Sequence, residues 1–249
     1  MNGQHDSSTA WVLLVILIAT FIRSAFGFGE ALVAVPLLAI RISVSTAAPL
    51  AVLISITLAA IILLQDWRSV HVRSAGWLVV STLFGIPLGL LLLTEGNQRL
   101  VKGALALIIV AFSAYGLIGR RPPELHSDNQ VWLMISGFFA GVMGGAYGMN
   151  GPPLAIYGAM RRWTAQHFRA TLQGYFLPAS FIGMIGHWLA GLWTREVTRY
   201  YVLSLVVVVP AIFLGRALNR RMHNHAFLKF IHVGLIAIGA TLLVQAVRA

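Results

Sequence analysis

Eight apolar runs dominate this chain. They fall at about 11–40, 44–64, 75–93, 100–118, 131–160, 168–190, 199–218 and 227–247. A helix needs roughly 20 apolar residues to cross the hydrocarbon core of a bilayer. Six of the runs fit one crossing, and two are about half as long again. With 58% hydrophobic and 10% charged residues, the 249-residue chain has too little polar surface for water to be its main solvent. Backbone N–H and C=O groups in lipid must pair within the chain. The expected fold is therefore all-α, a polytopic membrane protein of eight to ten transmembrane helices. The lack of Cys excludes a disulfide scaffold and Cys-built zinc or redox sites.

The charges lie between the runs. Eighteen Lys and Arg against seven Asp and Glu leave a net +11. They sit in short gaps, where they read as topogenic charge facing the cytoplasm and not as a nucleic-acid surface. The opening MNGQHDSSTA holds no Lys or Arg, so the run from Trp11 reads as a retained helix and not a cleaved signal. Trp67, Trp77, Trp132, Trp163, Trp188 and Trp193 gather at run ends, as an aromatic belt does. Such a compact chain is expected in a bacterial-type inner membrane, as a multi-pass protein.

The two long runs are interrupted near their middles, by Gly27-Phe28-Gly29-Glu30 and by Gly148-Met149-Asn150-Gly151-Pro152-Pro153. Gly and Pro break helices, and a break at membrane depth survives only against protein or a wet cavity. The sequence Ala25–Ala31 lies over Ala146–Pro152 at a shift of 121, and Leu100-Val101-Lys102 lies loosely over Phe227-Leu228-Lys229. The order repeats too: one long broken run, then three ordinary ones. The expected organisation is a first membrane repeat at 1–118, a polar linker at 119–130 and a second repeat at 131–249, with a broken helix in each. A long run that crosses once gives eight spans and parallel repeats. One that turns back gives ten spans and inverted repeats. The first arrangement puts 10 basic residues on the cytoplasmic side against 7, and the second puts 11 against 6, with Arg23 left out. Both put 161–169 and 216–229 in the cytoplasm and both termini on the outer, periplasmic side.

A broken helix exposes N–H groups and a positive dipole end, which favour an anion. Paired discontinuous helices are the sequence pointer to a transporter's binding site. The expected substrate-binding residues are Gly27, Phe28, Gly29, Gly148, Met149, Asn150, Gly151 and Pro152, with Asn150 as helix cap and Pro152 in the first turn. Arg169 reads either as a snorkelling interface residue or, with Gln173 one turn deeper on the same face, as a substrate-binding anion clamp at the cytoplasmic mouth. Glu30 is the one acidic residue inside an apolar run. It reads as a cap for the next helix, as a partner of Arg23 two turns back, or as the carrier of a coupling proton. His187 and His232 read as helix–helix hydrogen-bonding partners, and Gly137, Gly141 and Gly145 as a close-packing ladder. No catalytic motif, metal cluster or cofactor site emerges.

Phe26-Gly27-Phe28-Gly29 followed by Val35-Pro36-Leu37-Leu38 is similar to the first repeat of the sulfite exporter TauE/SafE family. Gly144-Gly145, Gly148, Gly151-Pro152 and Phe168-Arg169-Ala170-Thr171 resemble its second repeat. The resemblance implies a small bacterial membrane transporter exporting sulfite, sulfonates or related organic anions. It also marks a departure, since that family commonly has Gly where Glu30 stands. The expected function is secondary transport of a small sulfur-containing or organic anion, with Glu30 and Arg23 in proton coupling. The expected partners are the bilayer, the anion and the proton; a homodimer stays open. Two rival readings remain: a cation or metal carrier or channel using Glu30, and a membrane-embedded enzyme acting on a lipid-linked substrate.

Overall fold

The computed structural model describes the backbone at 2–66, 72–119, 124–125, 129–163, 165–219 and 225–248. The side chains at 2–7, 65–66, 72–74, 165–170, 218–219, most of 225–234, 238 and 248 lie outside the description. Among the described residues there are ten helices and no strand. They are α1 (Asn2–Phe26), α2 (Glu30–Leu38), α3 (Val44–Asp66), α4 (Val72–Glu95), α5 (Gln98–Ile118), α6 (Gln130–Tyr147), α7 (Gly151–Met160), α8 (Ala165–Leu189), α9 (Arg195–Asn219) and α10 (His225–Arg248). Six of them (α1, α3, α4, α5, α6 and α9) contain stretches long and apolar enough to cross a membrane. Their outer faces stay apolar where they are exposed, as at Leu64, Phe84 and Val206. The protein is a multi-pass helical membrane protein.

Both long runs break where glycine takes a backbone other residues avoid. Gly27 and Gly29 sit at φ 86° and 96°, and Gly148 at φ 66°. These left-handed conformations end α1 and α6. The short helices that follow, with 9 and 10 residues, cannot cross a membrane of about 30 Å at about 1.5 Å per residue.

Both short helices double back. The Trp11 indole N–H, about two and a half turns into α1, donates to the Leu37 carbonyl at the end of α2 (3.1 Å). The Arg41 guanidinium lies 4.7 Å over the Trp11 ring. At the other end of the molecule, the Leu125 N–H donates to the Met160 carbonyl at the end of α7 (2.9 Å). Arg161 Nη1 donates back to the Leu125 carbonyl (2.8 Å). In each run the end of the short helix is thus hydrogen-bonded back to the segment that precedes the break. The start of α3, the end of α4, the start of α5 and the end of α8 surround one cavity of about 390 Å³, at the Arg41 end.

The long helices pair as α1 with α9, α4 with α6, α3 with α8 and α5 with α10. The α4–α6 seam is the tightest because both sides carry glycine. A Cβ on Gly85 would lie 2.1 Å from the Phe138 carbonyl oxygen, and one on Gly141 would lie 2.4 Å from that of Thr82. The ladder of Gly137, Gly141 and Gly145 is thus a packing face. Trp77, Trp132, Trp188 and Trp193 are exposed near helix ends. His187 is buried, with Nδ1 2.7 Å from the Gly183 carbonyl. The Trp67 and His232 side chains lie outside the described residues.

Candidate functional site

The hairpin tips meet inside the molecule. Phe28, Gly29 and Glu30 from the first, and Gly148, Met149, Asn150, Gly151 and Pro152 from the second, line one closed cavity with Arg23, Ser55 and Phe176. It measures about 20 Å³, where one water needs roughly 10–15 Å³. That is room for a water or two.

Arg23 is the centre of the polar network, and only 2% of it is exposed. Its Nη1 donates to Glu30 Oε2 and to Ser55 Oγ at 2.7 Å. Its Nη2 donates to Gln173 Oε1 at 3.0 Å. The Phe176 ring lies 4.7 Å from the guanidinium carbon, a distance at which the ring quadrupole favours a cation. Gln173 Nε2 donates to the Gly27 carbonyl at 2.8 Å, which ties α8 to the first tip. Arg23 thus joins α1, α2, α3 and α8 in one contact set.

Glu30 and Arg23 are paired in the structure. Glu30 is the first residue of α2, and Gly29 holds the cap position. Glu30 therefore sits in the first turn, where its charge faces the positive helix end, and it is not the cap. Asn150 also departs from expectation. Its side chain makes no capping bond, and its backbone is helical (φ −83°, ψ −15°). Its Nδ2 donates to the Tyr175 hydroxyl instead (3.2 Å). Tyr175 lies 2.7 Å from Thr82 Oγ1, and Thr82 donates to the Gly137 carbonyl (2.9 Å). A buried amide with a hydroxyl partner at hand satisfies itself there, and the cap is given up.

The first turns of α2 and α7 differ as anion sites. Glu30, Ala31 and Leu32 each keep an N–H, whereas Pro152 and Pro153 have none. The second tip therefore offers Gly151 N–H alone from its first three residues.

Of the expected site residues, Phe28, Gly29, Gly148, Met149, Asn150, Gly151 and Pro152 are brought to the cavity wall, together with Glu30 and Arg23. Gly27 and Gln173 stand behind Arg23. The Arg169 side chain lies outside the described residues. Sequence reasoning missed Ser55, Phe176, Tyr175 and Thr82. Ser55 carried a faint signal as a hydroxyl inside an apolar run, while Phe176 carried none.

The sequence profile of the sulfite exporter TauE/SafE family matches residues 12–242. The chain belongs to this family. A relative from Cupriavidus necator, described as a probable sulfite/organosulfonate exporter TauE, is 24% identical over 191 residues. The match covers 74% of this chain and 71% of that protein. No solved structure matches. Family membership makes this chain a membrane transporter and not an enzyme.

Proposed function

We propose that this family member is a secondary transporter that exports a small sulfur-containing anion, sulfite or an organosulfonate, with proton coupling at Glu30. The observation that carries the reading is the buried cavity between two helix tips, with a guanidinium on its wall. The description of the Cupriavidus necator relative supports the substrate class. A cation at Glu30 would face Arg23 at hydrogen-bonding range, so the geometry favours an anion over the cation reading.

The helices are read as two inverted repeats about this cavity. Every long pairing recurs when each helix is exchanged with the one five places on: α1–α9 becomes α6–α4, while α3–α8 and α5–α10 return to themselves. The first hairpin is read as entering from the Arg41 end and the second from the Leu125 end, which is the inverted form. In that form the segments at 65–74, 119–130, 161–169 and 216–229 hold 11 basic residues against 6 on the other face. The basic face is read as cytoplasmic. Both termini then lie outside, in a bacterial-type inner membrane. Alternating access follows as movement of one hairpin and its supporting helices against the other, around a fixed site.

The test is flux from proteoliposomes loaded with sulfite or small sulfonates, with and without an imposed pH gradient. Saturable, gradient-dependent efflux is expected, and Gly151→Leu, which fills the cavity, should abolish it. Equal flux from the variant removes the cavity from the path. The chain has no Cys, so a single Cys at Ser43 should label from outside and one at Glu124 from inside. Labelling of Ser43 from inside and Glu124 from outside, as single crossings would give, overturns the inverted arrangement.

A further inference from the structure

Resting on the carrier reading above, we propose that the Glu30 carboxylate occupies the place on Arg23 that the substrate's anionic group takes during transport. One proton then enters with each monoanion.

The unused valences of the pair point this way. A guanidinium has five N–H donors, and the bonds to Glu30, Ser55 and Gln173 use three. Arg23 Nε and Glu30 Oε1 are both buried without a partner. Both residues line the cavity between the tips. A planar fork of donors fits a carboxylate and a sulfonate by the same geometry. The group that holds Glu30 is therefore the group best suited to hold the substrate. Ser55, Gln173 and Phe176 keep it in place from α3 and α8 while the carboxylate leaves.

Charge balance supplies the proton. Arg23 and Glu30 sum to zero. The second tip faces them with Gly148, Met149, Asn150, Gly151 and Pro152, none of which titrates. α3 and α8 face them with Ser55, Gln173 and Phe176. Two further helices touch α2. α5 carries Arg99 and Lys102 only at its start, and the ionisable side chains of α10 (His225, Lys229, His232 and Arg248) lie outside the described residues. A monoanion on Arg23 beside an ionised Glu30 leaves one buried negative charge without a counterion, which a low-dielectric site opposes. Protonation of Glu30 restores neutrality. It also turns a competitor for the guanidinium into a neutral group that releases it. Binding is then linked to proton uptake, and the loaded site is electroneutral.

Titration calorimetry on the purified full-length protein tests this with methanesulfonate, which stays a monoanion across the neutral and acidic range. Runs in buffers of different ionisation heat count the protons taken up. One proton per anion is expected. Affinity should rise as pH falls, by up to about tenfold per unit above the titration of Glu30 in the unliganded protein. Glu30→Gln should bind with no proton uptake and a flat pH profile. Wild-type binding without proton uptake overturns the inference, as does uptake that persists in Glu30→Gln; both outcomes remove proton coupling at Glu30 and leave the anion-carrier reading standing. If Glu30→Gln does not fold, the wild-type proton count decides alone. No binding of methanesulfonate to the wild type at any pH overturns the sulfonate reading, and the inference falls with it.

Discussion

The two hairpin tips share a backbone plan and carry opposite chemistry. The first hairpin breaks between Phe26 and Glu30, and the second between Tyr147 and Gly151, an offset of 121 on both sides of the break. Gly27 and Gly148, at matched positions, both have positive φ. Carried two residues further back, the same offset lays Arg23 over Gly144 and Glu30 over Gly151. The first tip thus has a buried ion pair where the second has two glycines. Gly29, with φ 96°, lies over Asn150, whose backbone is helical. The polar group of the second tip is neutral, and its amide is anchored by Tyr175. The polar groups of the first tip are charged, and two of their atoms have no partner. An anchored, neutral tip is suited to shaping a cavity, and a charged one with unused donors and acceptors to receiving a ligand.

The largest effect should come from breaking the ion pair. Removing one partner leaves a buried charge uncompensated, at a cost of about 3–5 kcal/mol. Glu30→Ala and Arg23→Ala should each lower thermal stability in detergent by that order. The double variant should cost much less than their sum, because its first tip approaches the composition of the second. A double-mutant cycle reads this directly, and additive losses would mean that the pair does not act as a unit. The second tip offers the next test. A Cβ on Gly144 would lie 2.4 Å from Asn150 Nδ2, so Gly144→Ala should push the amide off Tyr175. The expected cost is about 1–3 kcal/mol, in the range of overpacking, and the shape of any pH profile of transport should persist. A changed pH profile would merge the two tips into one electrostatic unit.

The breaks were suggested in the sequence because the two runs were too long for one crossing and carried Gly with Glu30, or Gly with Pro, near their middles; glycine alone also serves helix packing, as along α4 and α6. Glu30 stood out because a charge at membrane depth needs a partner, and pairing with Arg23 was one of three readings; the pair meets across the break between α1 and α2, not along one helix. The doubling back was not legible. It depends on Trp11 meeting Leu37 and on Leu125 meeting Met160, contacts that no local pattern encodes. The role of Asn150 was misread because capping propensity is local, whereas Tyr175 reaches it from another helix. Ser55 and Phe176 were overlooked because a serine and a phenylalanine are ordinary residues in a membrane helix. Their importance follows only from the guanidinium placed beside them.

The smallest expected effect tests how separately the tips are held. Thr82 donates to the Gly137 carbonyl, so its oxygen accepts the Tyr175 hydroxyl proton, and Tyr175 in turn accepts from Asn150. This chain runs from α4 through α8 to the second tip, and none of its members is charged. Thr82→Val keeps the volume and removes one acceptor, which leaves the Tyr175 hydroxyl without a place for its proton. The cost should be about 1 kcal/mol, the scale of a neutral hydrogen bond. Tyr175 is next in sequence to Phe176, which stacks on Arg23, so a disturbance of one ring has a short route to the other. If the neutral chain only shapes the cavity, Thr82→Val should weaken methanesulfonate binding slightly and leave the number of protons taken up per anion at the wild-type value. A changed proton count would show that the second tip tunes the charge on the first, and the division of labour between the tips would have to be abandoned.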